Sequence, residues 1–588
     1  MVKAIVALLV GLALCACAPL LGEAEVFDIE QEGAKASQLH TVALSEHNAA
    51  VINDVLQRMR PLDTLLVPNK TFWTMGGISA SGLTDVTIQL EGTLKFSSSI
   101  KSWPRDETGA VKGCILLSDA RNLTLTSSGT GTLDGNGERW WGWLKYLEVQ
   151  EDRPRLLELR NSSQLLVEHW LLKDSPYWSF WANDVDTLEV RHAAVDVRRN
   201  AARQHDLYNL QAFNTDGFDV AGRHVWIHDC SVWNDDDSVC VKELGREGQQ
   251  AQCSEHILVE RVAASGLGLS VGSVGASADH HCVRNVTFRD CTMRDTYKVG
   301  SGMARRGQRR RCGGGAGGAL QQTCGEVSVA AAQGIYVKSR PDAQAAEGSY
   351  RPPSARDQEL LELLQRSYRE DEELEGTLLA AHGGVRGGDD DSESLEAFLE
   401  RVQSVFDGMG LELTPLDEGA LLALDAEAQE QQQEMGAGGA SETATGMSAE
   451  ISDVMYENIV IHKPTQWSIW VGPQQAVYAG ACSLLWPWVP GTSCPVPRLV
   501  SIRGISLRNV TVVDPSYSAG VLLGNELNPI RNIRFDSVTV YNEGSIPWGE
   551  DSYKCEHVLG GFAVGRTSPV PPCFRNGTVP QASGVADS

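Results

Sequence analysis

Short runs in which apolar and polar residues alternate recur along this chain: VTIQL at Val86–Leu90, NLTLT at Asn122–Thr126, QLLVE at Gln164–Glu168, TLEVR at Thr187–Arg191, HVWIH at His224–His228, HILVE at His256–Glu260 and NVTFR at Asn285–Arg289. Three longer ones follow at Met455–Ile461, Ile505–Val512 and Ile533–Val540. Alternation at a period of two is the mark of a strand with one buried face. Many neighbouring runs begin 23 to 37 residues apart, which is the spacing of a solenoid. Several short strands per period, with Asn, Asp and Gly between them, predict a parallel β-helix rather than a leucine-rich repeat, whose Leu/Asn signature is missing. The expected architecture is all-β: one right-handed parallel β-helix of about ten coils over residues 25–545, closed by a short helix near Asn48–Arg60.

Two stretches break the period. Residues 299–333 are rich in Gly and Arg and separate Asp295-Thr-Tyr-Lys from Gly334-Ile-Tyr-Val-Lys, which together read as one coil. A retained intron and a basic loop beside the substrate cleft both fit this segment. A peptide from inside it, found by mass spectrometry of the native protein, would rule out the intron. Residues 341–450 mix runs of helical spacing (Glu359–Gln365, Leu395–Val402) with acidic, Gly-rich and Gln-rich tracts, and predict a partly helical, partly disordered insertion. Asp389–Asp391 there suit calcium in composition, although a solvated charge run needs no ion.

The net charge of −26 changes meaning once it is located. Residues 341–450 hold 26 acidic and 6 basic residues, so most of the imbalance sits in that insertion and the remainder is near neutral. Beyond the first two dozen residues no apolar run is long enough to span a bilayer. Lys3, the apolar stretch Ala4–Leu14 and the small residues ending at Ala24 read as a signal peptide over 1–24, hence a secreted protein. Cys15 and Cys17 leave a lipid-anchored form open. Twelve cysteines remain after Ala24, and Cys555 with Cys573, Cys482 with Cys494, and Cys240 with Cys253 are the expected local disulfides, the first stapling a tail over 546–588. Six Asn-x-Ser/Thr sites (Asn69, Asn122, Asn161, Asn285, Asn509, Asn576) suit glycosylation, yet Asn122, Asn285 and Asn509 precede strand-like runs and fit equally as corner residues. No nucleotide or nucleic-acid motif occurs, and no cofactor or metal is required.

The chemistry concentrates in one place. Asn214-Thr-Asp216-Gly-Phe-Asp219 is followed by Asn234-Asp-Asp236-Asp237, and 20 or 21 residues separate Asp216 from Asp236 and Asp237, about one coil. Coils stack at about 4.8 Å, so these carboxyls reach neighbouring rungs of one face. Crowded like charges raise at least one pKa, as a general acid of glycoside hydrolysis requires. A calcium site or an aspartate corner ladder would have the same residues.

The order of segments resembles family 28 glycoside hydrolases, the polygalacturonases. Gly129–Trp141 (GTGTLDGNGERWW), Arg153-Pro-Arg-Leu-Leu, Lys173-Asp-Ser-Pro-Tyr-Trp178, Asn214-Thr-Asp-Gly, Asp236-Asp237, Ser265–Gly275 (SGLGLSVGSVG) and Tyr336-Val-Lys338 carry the likeness, from about Gly129 to Asn542 outside both insertions. The resemblance implies an inverting hydrolase with Asp236 as general acid, Asp216 and Asp237 holding and deprotonating water, and Lys338 on a substrate carboxylate. It extends the substrate-binding set to Asn214, Tyr336 and Gly268. Two positions depart from the pattern: Leu267 stands where the family has His, and Tyr336 where it has Arg. His280 or His281 are candidate replacements for the former, and Tyr336 is a candidate sugar platform. Among tryptophans, one or two of Trp178, Trp181, Trp233, Trp467 and Trp470 are expected to stack on sugar.

The expected substrate is an acidic, pectin-like polysaccharide containing galacturonate, cut by a monomer in the extracellular space or cell wall. A catalytically silent glycan-binding β-helix and a polysaccharide lyase are the alternatives. Released reducing ends, bound but uncut glycan, and ultraviolet-absorbing products distinguish the three.

Overall fold

The repeated runs become the rungs of one continuous ladder. A computed structural model describes residues 24–141, 152–198, 212–244, 253–276, 280–294, 335–340, 448–465, 467–476, 481–483, 486–488 and 491–576. Val86, Leu123, Leu165, Leu188, Val225, Ile257, Val286, Val454 and Ile505 are consecutive parallel partners pointing into the core. Each such side chain removed from water contributes about 1.5–3 kcal/mol. Each coil then adds a short second face, such as Leu171–Lys173, Ala194–Asp196, Ser231–Trp233 and Ala263–Ser265. A third face follows, with Val239–Val241, Leu269–Val274, Ile335–Ser339 and Ile469–Pro473 among its strands. The molecule is therefore the right-handed parallel β-helix the pattern predicts. The first face carries twelve stacked strands from Thr64–Val67 to Phe562–Val564 among the described residues, against an expectation of about ten coils.

One residue in the left-handed region turns the chain onto the first face in coil after coil. Asp85, Asn122, Gln164, Thr187, His224, His256, Asn285, Asp453, Gly504 and Asn532 all have φ between +51° and +68°. Asn and Asp tolerate that conformation because their short polar side chains bond locally. Here they also bond along the stack, Asn122 Nδ2 to Asp85 Oδ1 (2.7 Å) and Asn509 Nδ2 to Asn458 Oδ1 (2.9 Å). Asn122, Asn285 and Asn509 are thus corner residues, as their sequence context suggested.

The first end is covered by the helix Val42–Arg58, whose Thr41 side chain caps the Leu44 N–H and which buries Ala49, Ile52, Val55 and Leu56 on the core. At the other end Tyr553–Glu556 pairs with Gly520–Leu523 and Phe562–Val564 with Arg534–Asp536, so the β-helix continues through the segment expected to be a tail. Cys555–Cys573 and Cys482–Cys494 form as expected. Cys240 does not meet Cys253; Cys253 bonds Cys282, its partner on the next rung, while the buried Cys240 thiol donates to the Gly272 carbonyl at 2.7 Å. The signal segment, residues 299–333 and most of 341–450 lie outside the described residues, except that Ala449 and Glu450 already belong to a strand paired with His281–Arg289.

Candidate active site

The corner between the second and third faces carries the acids. Asn214 turns with φ +56°, and Asp216 and Asp237 enter the third face in the same register on adjacent coils, where the Gly217 N–H donates to the Asp237 carbonyl at 2.8 Å. The two corners are pinned by the buried Asn234, whose Nδ2 donates to the carbonyls of Thr215 and Asp237, both at 2.9 Å. A Cβ at Gly266 would lie 2.2 Å from Asn234 Oδ1, so the close packing of the third coil here demands glycine.

This geometry brings Asp216, Asp236 and Asp237 together, each offering an oxygen within 4.8 Å of the others. Two cations face them. Lys338 Nζ donates to Asp237 Oδ2 at 2.6 Å, and Lys242 Nζ lies 3.4 Å from Asp216 Oδ2 and 3.2 Å from Asp219 Oδ2. Ser270 Oγ donates to Asp237 Oδ1 at 2.6 Å. Asn214 approaches Asp236 Oδ2 through its backbone N–H (3.3 Å) and Nδ2 (3.4 Å). Its own Oδ1 accepts from Arg153 at 3.0 Å, so the buried Arg153 orients the residue that orients Asp236.

The carboxyls consequently separate in acidity. Burial, then repulsion from Asp216 and Asp237, pushes Asp236 up to about 8. Burial also opposes ionisation of Asp237, but Lys338, Lys242 and the bonds from Lys338 and Ser270 outweigh it and hold that carboxyl below its ordinary value. Asp216 is raised by burial and by Asp219, against the pull of Lys242. Asp219 is raised to about 6, by burial first. At neutral pH the cluster therefore offers a proton on Asp236 beside an anion on Asp237, the division of labour an acid–base pair needs. The three oxygens would also suit a hard cation in spacing, but Lys242 and Lys338 already place two positive charges in the same pocket.

Several expected site residues stand elsewhere. Tyr336 is 2% exposed, with its ring against Trp470 and its hydroxyl accepting the Gln475 N–H at 3.1 Å, so it presents no face to a sugar. Trp467 and Trp470 are wholly buried in the same aromatic cluster and are not sugar platforms; Trp178, Trp181 and Trp233 remain partly exposed. Gly268 has φ +92° and its carbonyl accepts the Ser238 N–H, a ladder contact. Leu267 is buried, its N–H donating to the Asp236 carbonyl at 2.7 Å. His280 bonds the Ser448 hydroxyl and His281 lies 3.3 Å from Glu243; the cations that reach the acids are lysines. Lys242 and Ser270 went unnoticed in the sequence, although Val239-Cys-Val-Lys242 places Lys242 one residue beyond a third-face strand, as Lys338 follows Val337.

The fold and site define a class: a parallel β-helix protein with a carboxylate cluster, held by two lysines, at one edge of its third face. Residues 59–299 match the family described as glycosyl hydrolases family 28. The chain is 30% identical over 242 residues to a probable endo-xylogalacturonan hydrolase A of Aspergillus flavus, covering 40% of this chain and 54% of the relative. It is 28% identical over 259 residues to the endo-xylogalacturonan hydrolase A of Aspergillus tubingensis, covering 43% and 58%. The chain thus spans about half the length of the curated relatives it matches. The crystal structure of endo-xylogalacturonan hydrolase from A. tubingensis overlays with a TM-score of 0.44 at 14% identity, over 90% of this chain and 95% of that one. A hyperthermoactive exopolygalacturonase from Thermotoga maritima gives 0.48 at 13%, over 93% and 91%.

Proposed function

We propose that the protein is a secreted glycoside hydrolase that cleaves an acidic, galacturonate-containing pectic polysaccharide. The observation that carries this reading is geometric: Asp216, Asp236 and Asp237 each offer an oxygen within 4.8 Å of the others, and Lys338 and Ser270 both donate to Asp237, which favours its ionisation over that of Asp236. Asp236 protonates the departing glycosidic oxygen, Asp237 deprotonates the water that attacks the anomeric carbon, and Asp216 helps to hold that water. Lys338 favours the ionised form of Asp237 in the free protein, with its Nζ 4.6 Å from the centre of the Tyr336 ring, and by the family resemblance it would meet a substrate carboxylate. The named activity of the relatives makes xylogalacturonan a substrate to test beside polygalacturonate.

Inversion follows from the family resemblance, with both Asp216 and Asp237 serving the water. The spacing favours a second outcome, because carboxyls of inverting enzymes usually stand about 6.5–9.5 Å apart and those of retaining ones about 5–5.5 Å. Proton NMR of the first-formed anomer decides between them.

The reading is tested by reducing-end release from a panel of uronate-bearing polymers. Release should fall about 10²–10⁴-fold in Asp236→Asn, the usual worth of a general acid. Ultraviolet-absorbing products would indicate a lyase, and binding without release from any polymer would indicate a silent glycan binder.

A further inference from the structure

A second cluster, unused by the proposed reaction, lies two coils toward the N-terminus from the acids. The Leu156 N–H donates to the Trp178 carbonyl and the Ser179 N–H to that of Asp216. Arg155, Trp178, Asp216 and Asp237 therefore occupy one register on successive coils, which puts Arg155 roughly 10 Å from Asp216 along the stack. The Arg155 guanidinium carbon lies 4.5 Å from the Trp178 ring centre and 4.4 Å from that of Trp181, and Lys242 Nζ lies 5.0 Å from Trp178. Trp178 thus bridges the acids and this cluster.

Arg155 has no acidic partner among the described residues, and its buried Nε makes no hydrogen bond. Glu158, three residues on, is paired with Arg160 at 2.5 Å. Lys242 and Lys338 pair with the acids, whereas Arg155 makes no ion pair among the described residues. A guanidinium laid on aromatic faces keeps its charge and its planar fork, and that fork matches a carboxylate with two parallel bonds. The adjoining indoles are partly exposed, so a sugar held by Arg155 would lie against their accessible edges.

We propose that Arg155, Trp178 and Trp181 form a uronate-binding subsite on the N-terminal side of the acids, with Arg155 gripping the carboxylate of a sugar that is not the one being cleaved. The subsite rests on the reading of the cleft as one for an acidic polysaccharide. It supplies, from the opposite side of the acids, the arginine grip that the chain lacks at Tyr336.

Binding of oligogalacturonates to the uncleaving Asp236→Asn protein tests it, with carboxyl-reduced oligomers of equal length as controls. Adding Arg155→Met should weaken binding of the acidic oligomers about tenfold and leave the reduced ones unchanged, and Arg155→Lys should recover part of the loss. In the Asp236-containing protein the effect should appear in KM more than in kcat. Because Arg155 makes no hydrogen bond through its buried Nε, an unchanged far-UV spectrum is expected for the variant. Equal binding of acidic oligomers with and without Arg155 would overturn the subsite while leaving hydrolysis intact. If the parent binds no acidic oligomer and the unmutated protein cuts no acidic polymer, the functional reading fails and the subsite falls with it.

Discussion

At the scale of single residues, this site is a problem of distributing few protons among crowded carboxyls. Asp216, Asp236 and Asp237 cannot all ionise at such range, and the surrounding groups decide which one does. Asp237 wins the charge because Lys338 and Ser270 both donate to it, whereas Asp236 has no cation in hydrogen-bond contact among the described residues. The pH profile follows. Activity needs Asp236 protonated, so kcat/KM should fall as pH rises through about 8. It needs Asp237 ionised, so the acidic limb should lie below the ordinary aspartate value of about 3.9. In Lys338→Met the burial of Asp237 is no longer offset by its main cation, so the acidic limb should move upward while the basic limb stays in place or moves up. An unmoved acidic limb would mean that Asp237 is not the base.

At the scale of elements, the strand and the corner do separate work. Inward residues such as Leu188, in register with Leu165 and Val225, fill the core, while the left-handed corner residues fix where one face ends and the next begins. Leu188→Ala leaves a cavity between rungs that the flanking coils cannot close, and should lower stability by about 2–5 kcal/mol, read as a fall in the urea midpoint. The wound strands also explain the disulfide. Cys253 and Cys282 are Cα partners on adjacent rungs, 4.6 Å apart, a proximity that no sequence distance announces.

At the scale of the molecule, the β-helix tolerates insertion because its ladder is indifferent to what joins the rungs. Ile335–Ser339 pairs with Leu269–Val274 before it and Ile469–Pro473 after it, although long stretches of chain intervene on both sides. The passage from the third face to the first takes only the residues between Val274 and His281 in one coil; in the next, the corresponding passage runs from Ser339 to Ala449. Replacing residues 341–447 by a linker of the shorter length should therefore preserve the fold. A deletion variant that remains soluble with an unchanged far-UV spectrum and reducing-end activity is the expected result; loss of activity with the fold intact would assign those residues to the cleft.

The alternation of apolar residues was enough to establish the strands, because burial on one face imposes a period of two whatever the strand pairs with. The polar corner residues were legible as well, since few side chains accept a positive φ, and so were the acids, whose spacing of about one coil survives in the linear order. What the tertiary structure decided is everything that depends on which residues meet across coils. Tyr336 reads as a cleft residue by its place in a motif, but it is buried in a cluster with Trp470, its partner on the next rung, and Cys482. Lys242 reads as an ordinary strand-end lysine until winding sets it against Asp216 and Asp219. Arg155 looked like part of a structural motif until the stack placed it in line with the acids. Register between coils is set by the whole ladder of buried contacts, and no local window of sequence contains it.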